Sequence, residues 1–241
     1  MPEEERTYRT RMARGQLTAF RVVIKETDLL VLASQDLSRL TRDLVCQERY
    51  QLERYIAAHP EFLHTLTPWP PDPFAPALVK EMIAAAARVG VGPMAAVAGA
   101  VAEQVGRALQ AYSPEVIVEN GGDIFLAVSG PATVAIYAGH SPLSQRVGIK
   151  IAAASTPLSI CTSSATVGHS FSRGRADAAC VLAPSATLAD ATATALGNRV
   201  TDAPAIPQAL DWVAQVPGLL AAVVIVGDKL GAWGEVELVP L

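Results

Sequence analysis

Aromatic residues make up only 5% of this 241-residue chain, charged residues 17%, and there are just three cysteines and four histidines. Each scarcity excludes something. Cys46, Cys161 and Cys180 are odd in number and widely spaced, and with so few histidines they suggest neither a disulfide framework nor a Cys/His zinc site. They read as buried thiols. Low charge combined with 51% hydrophobic residues and a mean hydropathy of +0.30 argues against disorder and coiled coil. No uncharged apolar run reaches the roughly 20 residues of a membrane-spanning helix; the longest, residues 89–102 and 219–226, fall short. Nineteen Lys and Arg against twenty-three Asp and Glu give a net charge of -4, so neither nucleic acid nor an anionic membrane is an expected partner. Basic and acidic residues alternate from Arg6 to Arg21, as on a mixed-sign solvated face. Residues 1–11 are polar, without the apolar stretch of a secretory signal, and the expected location is cytoplasmic. The surplus is aliphatic and small, namely Ala, Val, Leu and Gly, as in close-packed helices and buried sheets.

Periodicity organises the chain. Alternation through Leu17, Phe20, Val22 and Ile24, followed by an apolar run over 29–33, predicts a hairpin. Helical spacing of Leu37, Leu40, Leu44 and Ile56 predicts a long amphipathic helix over 36–58, closed by Pro60. Six prolines in 60–76 make a rigid connector. Helices are expected over 77–89 and, after Gly90, Gly92 and Pro93, over 94–112; the first half of the latter is almost all Ala, Val and Gly and must be buried. Strands are expected at 116–119, 124–128, 133–138, 147–151, 159–162 and 178–182, helices at 190–198 and 206–213, and closing strands at 219–226 and 234–238. Strands outnumber helices and follow one another, which fits an α+β fold with an antiparallel or mixed sheet.

Four segments could carry chemistry. Gly90, Gly92 and Ala95 match a loose dinucleotide-binding pattern, but the residues before them read as helix, whereas that fingerprint needs a strand. Asn120, Gly121, Gly122 and Asp123 lie between two strands, where paired glycines admit positive φ and bring backbone N–H groups close to a ligand; the same residues also make a plain hairpin turn. Thr162, Ser163, Ser164, Thr166, His169 and Ser170 gather hydroxyls and an imidazole, yet no nucleophile elbow surrounds a serine, leaving a ligand-binding or solvated loop. Asp190 and Thr194, four apart on a helix, share a face and could co-ligate Mg²⁺; Asp190 or Thr187 could equally cap the helix.

The runs ENGGDIF at 119–125, CTSS at 161–164 and ADATATAL at 189–196 occur in an order that resembles the motifs of ApbE-type FAD:protein FMN transferases. Together with KETDL, GPMAAVAGAVAE and LADATATALGNRV, they look like a separate, functionally uncharacterised branch of that superfamily. The resemblance implies one T-fold-like α+β domain over 1–241 that binds FAD, uses Mg²⁺ to cleave its pyrophosphate, and either transfers FMN to a threonine or serine of an acceptor protein or releases FMN and AMP. It also implies homodimers. Residue by residue, it implies Asp190, Thr194 and the Ala95 carbonyl at the metal and Asn120, Gly121, Gly122, Asp123, Thr162 and Ser163 at the flavin nucleotide, with His169 the nearby imidazole. Two departures stand out. Ala98, Gly99 and Ala100 occupy the place of a Lys-Gly-Tyr motif, and the family's HIIDP-like segment is missing. A phosphate-bearing heterocycle bound without turnover is the alternative reading.

Overall fold

The alternating first run folds as predicted. In the computed structural model, which describes Gly15, residues 17–166 and residues 174–241, β1 (Thr18–Ile24) and β2 (Thr27–Ala33) form an antiparallel hairpin with Thr18 opposite Ala33. β2 pairs with β3 (Val116–Asn120), β3 with β4 (Asp123–Ala127), and β4 with β7 (Leu158–Ser163). The sheet continues through β8 (Ala178–Ala183), β9 (Ala221–Val226) and β10 (Lys229–Gly234), giving eight strands with antiparallel neighbours throughout. A second sheet orders β11 (Glu237–Pro240), β6 (Val147–Ile151) and β5 (Ala132–Ala135).

Strand period two sorts the core into layers. On one face, Val116, Val118, Phe125 and Ala127 pack under α1 (Ser38–Ala58), α2 (Ala77–Val89) and α3 (Val97–Leu109). Further along that face, Cys161, Ala179, Val181 and Val224 pack under α4 (Ala186–Gly197) and α5 (Ile206–Val213). On the other face, Ile124, Leu126, Ile160, Leu182 and Ile225 meet Ile149 and Ile151 of the small sheet. The middle strands are therefore covered on both sides, which is why β8 and β9 read AACVLA and AAVVIV instead of alternating.

Several boundaries differ from the sequence reading. α4 starts at Ala186, because Ser185 in an extended conformation accepts the Leu188 N–H; neither Asp190 nor Thr187 is its cap. The expected closing strand at 234–238 is two strands in different sheets. Gly234 separates them with φ 84°, and a Cβ there would lie 2.1 Å from the Leu220 carbonyl oxygen. A 3-10 turn, Pro93–Ala96, precedes α3, which ends at Leu109. Gly90 is the left-handed cap of α2, φ 77°, so the loose dinucleotide pattern is a helix end.

The proline-rich connector is pinned, not loose. The Trp69 indole N–H donates to the Tyr55 hydroxyl at 3.2 Å, which donates to Asp72 at 3.0 Å, and the Phe62 ring meets Tyr55 and Trp69 edge-on at 5.1 and 5.5 Å. The connector then presses on the turn before α3: a Cβ on Gly92 would stand 1.9 Å from the Thr65 carbonyl oxygen. Among the described residues no single helix is long and apolar enough to cross a membrane.

Candidate functional site

β3 and β4 are joined by a two-residue turn in which Gly121 and Gly122 have φ 69° and 108°, with Asn120 opposite Asp123. Successive left-handed residues define the hairpin turn whose twist suits antiparallel strands, and glycine adopts them without strain. Alternation then points Asn120 and Asp123 at the helices and Glu119 away from them. Asn120 donates its amide to the Ala98 carbonyl at 3.0 Å, docking the hairpin tip on the start of α3.

α4 reaches the same point. The Asp190 carboxylate accepts the Gly99 N–H at 2.9 Å, and the Ala98 amide also favours its charged form. These are first-turn amides of α3, without partners in their own helix. The approach needs a glycine: a Cβ at residue 99 would lie 2.5 Å from the Ala186 carbonyl oxygen and 2.8 Å from Asp190 Cβ. The service is returned. Glu103 of α3, itself buried, accepts the Ala186 N–H at 2.7 Å and the Thr187 N–H at 3.3 Å, capping α4, while Arg107 holds its other oxygen at 2.7 Å. Two helices thus cap each other through one acidic side chain apiece.

Asp123 lies beneath this crossing. Burial raises its carboxyl well above the ordinary range, and the neighbouring Asp190 and Glu119 push the same way; the Cys161 thiol and the Thr162 amide only partly oppose them. Burial likewise raises Asp190, to about 7, against the Gly99 and Ala98 amides. The Cys161 thiol is pushed up as well, first by burial and then by both carboxylates, so it is a neutral donor and not a nucleophile. Asp123 Oδ1 is buried without a hydrogen-bond partner.

A family model described as AbpE bacteria matches residues 9–227. The chain belongs to that family. Curated relatives include a UPF0280 protein from Methanocella arvoryzae, 43% identical over 213 residues that cover 88% of this chain and 86% of the relative. Another, from Methanopyrus kandleri, is 43% identical over 224 residues, covering 90% of each. The fold is that of the ApbE proteins. The ApbE protein of Thermotoga maritima superposes with a TM-score of 0.62 at 12% identity, over 90% of this chain and 96% of that one. The flavin transferase ApbE of Vibrio cholerae gives 0.57 at 13%, over 91% and 97%.

In this AbpE-family chain some of the residues singled out in the sequence lie close together and others do not. Asn120, Gly121, Gly122, Asp123 and Asp190 converge on the N-terminus of α3. Ser163 faces α4, its hydroxyl 3.7 Å from where a Cβ on Gly197 would stand. Thr162 does not join them: its hydroxyl is on the opposite face of the sheet, donating to Cys180 Sγ at 3.2 Å, and only its backbone reaches the loop. The alternation of β7 already required that Thr162 and Ser163 part company. Thr194 follows one turn after Asp190, half-buried, and Ala95 is in the turn that packs against α4. His169 lies outside the described residues. Sequence reasoning passed over Glu103 and Cys161. An acidic residue directly after the Ala, Val and Gly run that opens α3 was the available signal for the first, and its place between Asp123 and α4 explains the second.

Among the described residues no three His, Cys, Asp or Glu side chains gather into a metal cage. The donors present are carboxylate, hydroxyl and carbonyl oxygens, the set that suits Mg²⁺, which keeps waters or phosphate oxygens in its remaining positions. An orphaned carboxylate oxygen inside the protein fits the same ion.

Proposed function

We propose that the protein is an Mg²⁺-dependent flavin-nucleotide enzyme that cleaves the pyrophosphate of FAD, either releasing FMN and AMP or passing FMN to a hydroxyl of an acceptor protein. The observation that carries this reading is the convergence of the glycine hairpin, Cys161 of β7 and Asp190 of α4 on the start of α3, within a chain of the AbpE family. Asp190, Thr194 and the Ala95 carbonyl would hold the metal, whose chemistry is to neutralise charge that develops on the phosphates. Gly121 and Gly122 present backbone without side chains to the nucleotide, and the α3 amides orient Asp190. The protein acts in the cytoplasm, on this reading, as a homodimer.

The test is incubation with FAD and Mg²⁺ followed by chromatography for FMN and AMP, with and without candidate acceptors. Asp190→Ala is expected to abolish cleavage. Cleavage by that variant at the wild-type rate refutes the metal assignment, and no cleavage together with no flavin-dependent thermal shift refutes the enzyme. One observation favours binding without turnover: Ala98, Gly99 and Ala100 offer the nucleotide neither a cation nor an aromatic ring, and Asp190 already serves as a helix cap. That reading expects a thermal shift with FAD and no products.

A further inference from the structure

The described residues leave three buried polar side-chain atoms without a partner, Thr41 Oγ1, Ser159 Oγ and Asp123 Oδ1. Two are neutral hydroxyls. The third belongs to a carboxylate, for which an unmet lone pair in the interior is far more costly. Its surroundings deepen the deficit. Asp190 and Glu119 act on Asp123 as like charges, and the main influences on Asp123 and Asp190 include no Lys or Arg. The donors that reach the pair are backbone amides of Thr162, Ala98 and Gly99 and the Cys161 thiol, whose single S–H is shared with the Ala186 carbonyl at 3.4 Å. Four neutral dipoles would not balance the pair with both carboxylates ionised, the state a bound cation requires. The donor set also runs from inside to outside, with Asp123 and Asp190 buried and Thr194 and Ala95 half-buried.

We infer that Asp123 is itself a ligand of the divalent cation, so that the ion is held between two carboxylates, Asp123 from the hairpin and Asp190 from α4, and not by Asp190 and its helix neighbour alone. This rests on the metal reading above and extends it to a residue that the sequence resemblance places at the nucleotide. The hairpin and α4 are then tied through the ion, and the cation is a hard one, Mg²⁺ or Mn²⁺, since the set offers oxygen and the one nearby sulfur is a neutral thiol.

The experiment is Mn²⁺ titration of chelator-treated protein, by the loss of the free-ion magnetic resonance signal and by calorimetry, for the wild type, Asp123→Asn and Asp190→Asn. Replacing second-shell partners of metal ligands typically weakens binding 10- to 100-fold, so losing a direct ligand should weaken it at least about tenfold. Both variants should fall by that much, and the rise in melting temperature on adding Mg²⁺ should shrink with them. Infrared difference spectra of the wild type keep the test independent of how well Asp123→Asn folds. Mg²⁺ should shift two carboxylate bands, and one in Asp190→Asn at saturating metal. If Asp123→Asn binds Mn²⁺ as the wild type does while Asp190→Asn does not, or if a protonated carboxyl band persists unchanged with Mg²⁺, Asp123 carries a proton and the inference is overturned with the Asp190 site intact. If the wild type binds no metal, both fall. Metal binding by two carboxylates without FAD cleavage refutes only the proposed activity.

Discussion

Gly99→Ala sets two well-measured effects against each other. Judged by helix propensity alone, alanine in place of glycine inside α3 stabilises by about 1 kcal/mol. The structure predicts the opposite sign. The new methyl would sit 2.5 Å from the Ala186 carbonyl oxygen, 2.8 Å from Asp190 Cβ and 3.0 Å from the Ala186 carbonyl carbon, none of them the far end of a flexible side chain. Relief requires α3 and α4 to separate, and overpacking of this kind costs roughly 1–3 kcal/mol. Separation also stretches the charge-assisted bonds from Gly99 to Asp190 and from Ala186 to Glu103, each worth about 1.5–3 kcal/mol if lost. With one of them lost and the propensity gain subtracted, the net loss is about 1.5–5 kcal/mol. For a chain of this size that lowers the melting temperature on the order of 5–15 °C. Calorimetric melts with chelator present read the effect free of any metal. A Gly99→Ala protein as stable as the wild type, or more so, would show that the helices are not clasped as described.

The other half of the clasp is testable through Glu103→Gln, which keeps the shape but not the charge, and should cost about 1.5–3 kcal/mol in urea unfolding; Arg107→Ala, at the half-exposed end of the same ion pair, should cost no more than about 1 kcal/mol, and equal losses would refute the capping role. Metal-free protein should lose stability as pH rises from about 4 through about 7, because folded Asp190 keeps its proton to about 7 whereas the unfolded chain ionises near 3.8. Protons bound in excess by the folded state give that sign, each tenfold difference in proton affinity between the folded and unfolded chain being worth about 1.4 kcal/mol, and Asp123 adds in the same direction. Asp190→Asn should flatten the profile, and a wild-type profile that is already flat contradicts the burial argument. Tyr55→Phe should destabilise by about 1–2 kcal/mol and alter Trp69 fluorescence, since it removes the hydroxyl that joins Trp69 to Asp72; an unchanged spectrum would mean the connector is held by its rings alone.

Local signals carried most of the fold. The β1–β2 hairpin, the extent of α2 and the Gly121–Gly122 turn follow from alternation, helical spacing and the demand for positive φ, all of which act within a few residues. Errors arose where several residues competed for one task. Ser185, Thr187 and Asp190 are all competent helix caps, and tertiary packing, not propensity, selected Ser185. At β10 the Gly227-Asp228 turn is a readable hairpin signal, but Gly234 reads as the start of a strand when its left-handed φ makes it the end of one. The mutual capping of α3 and α4 joins residues 83 and 91 positions apart, and no local pattern specifies such a pairing.

The surplus of small residues and the candidate site have a common cause. Ala98, Gly99 and Ala100 stand where the ApbE-type pattern places a lysine and a tyrosine, and their small size lets α4 come near enough for Asp190 to reach two amides of α3. A lysine in that helix would offer positive charge from the protein itself. Without it, the buried pair Asp123 and Asp190 must draw its compensation from elsewhere, and the nearest arginine of α3, Arg107, is already bound to Glu103. Close packing therefore fixes the carboxylates in place while removing their counter-charge. Restoring one tests this balance: Ala98→Lys, at a half-buried position beside Asn120 and Asp190, should weaken Mn²⁺ binding and lower the pH at which Asp190 loses its proton, because one fixed cation then does part of the work of the ion. Unchanged metal affinity and an unchanged stability profile in that variant would mean that charge compensation does not govern this site.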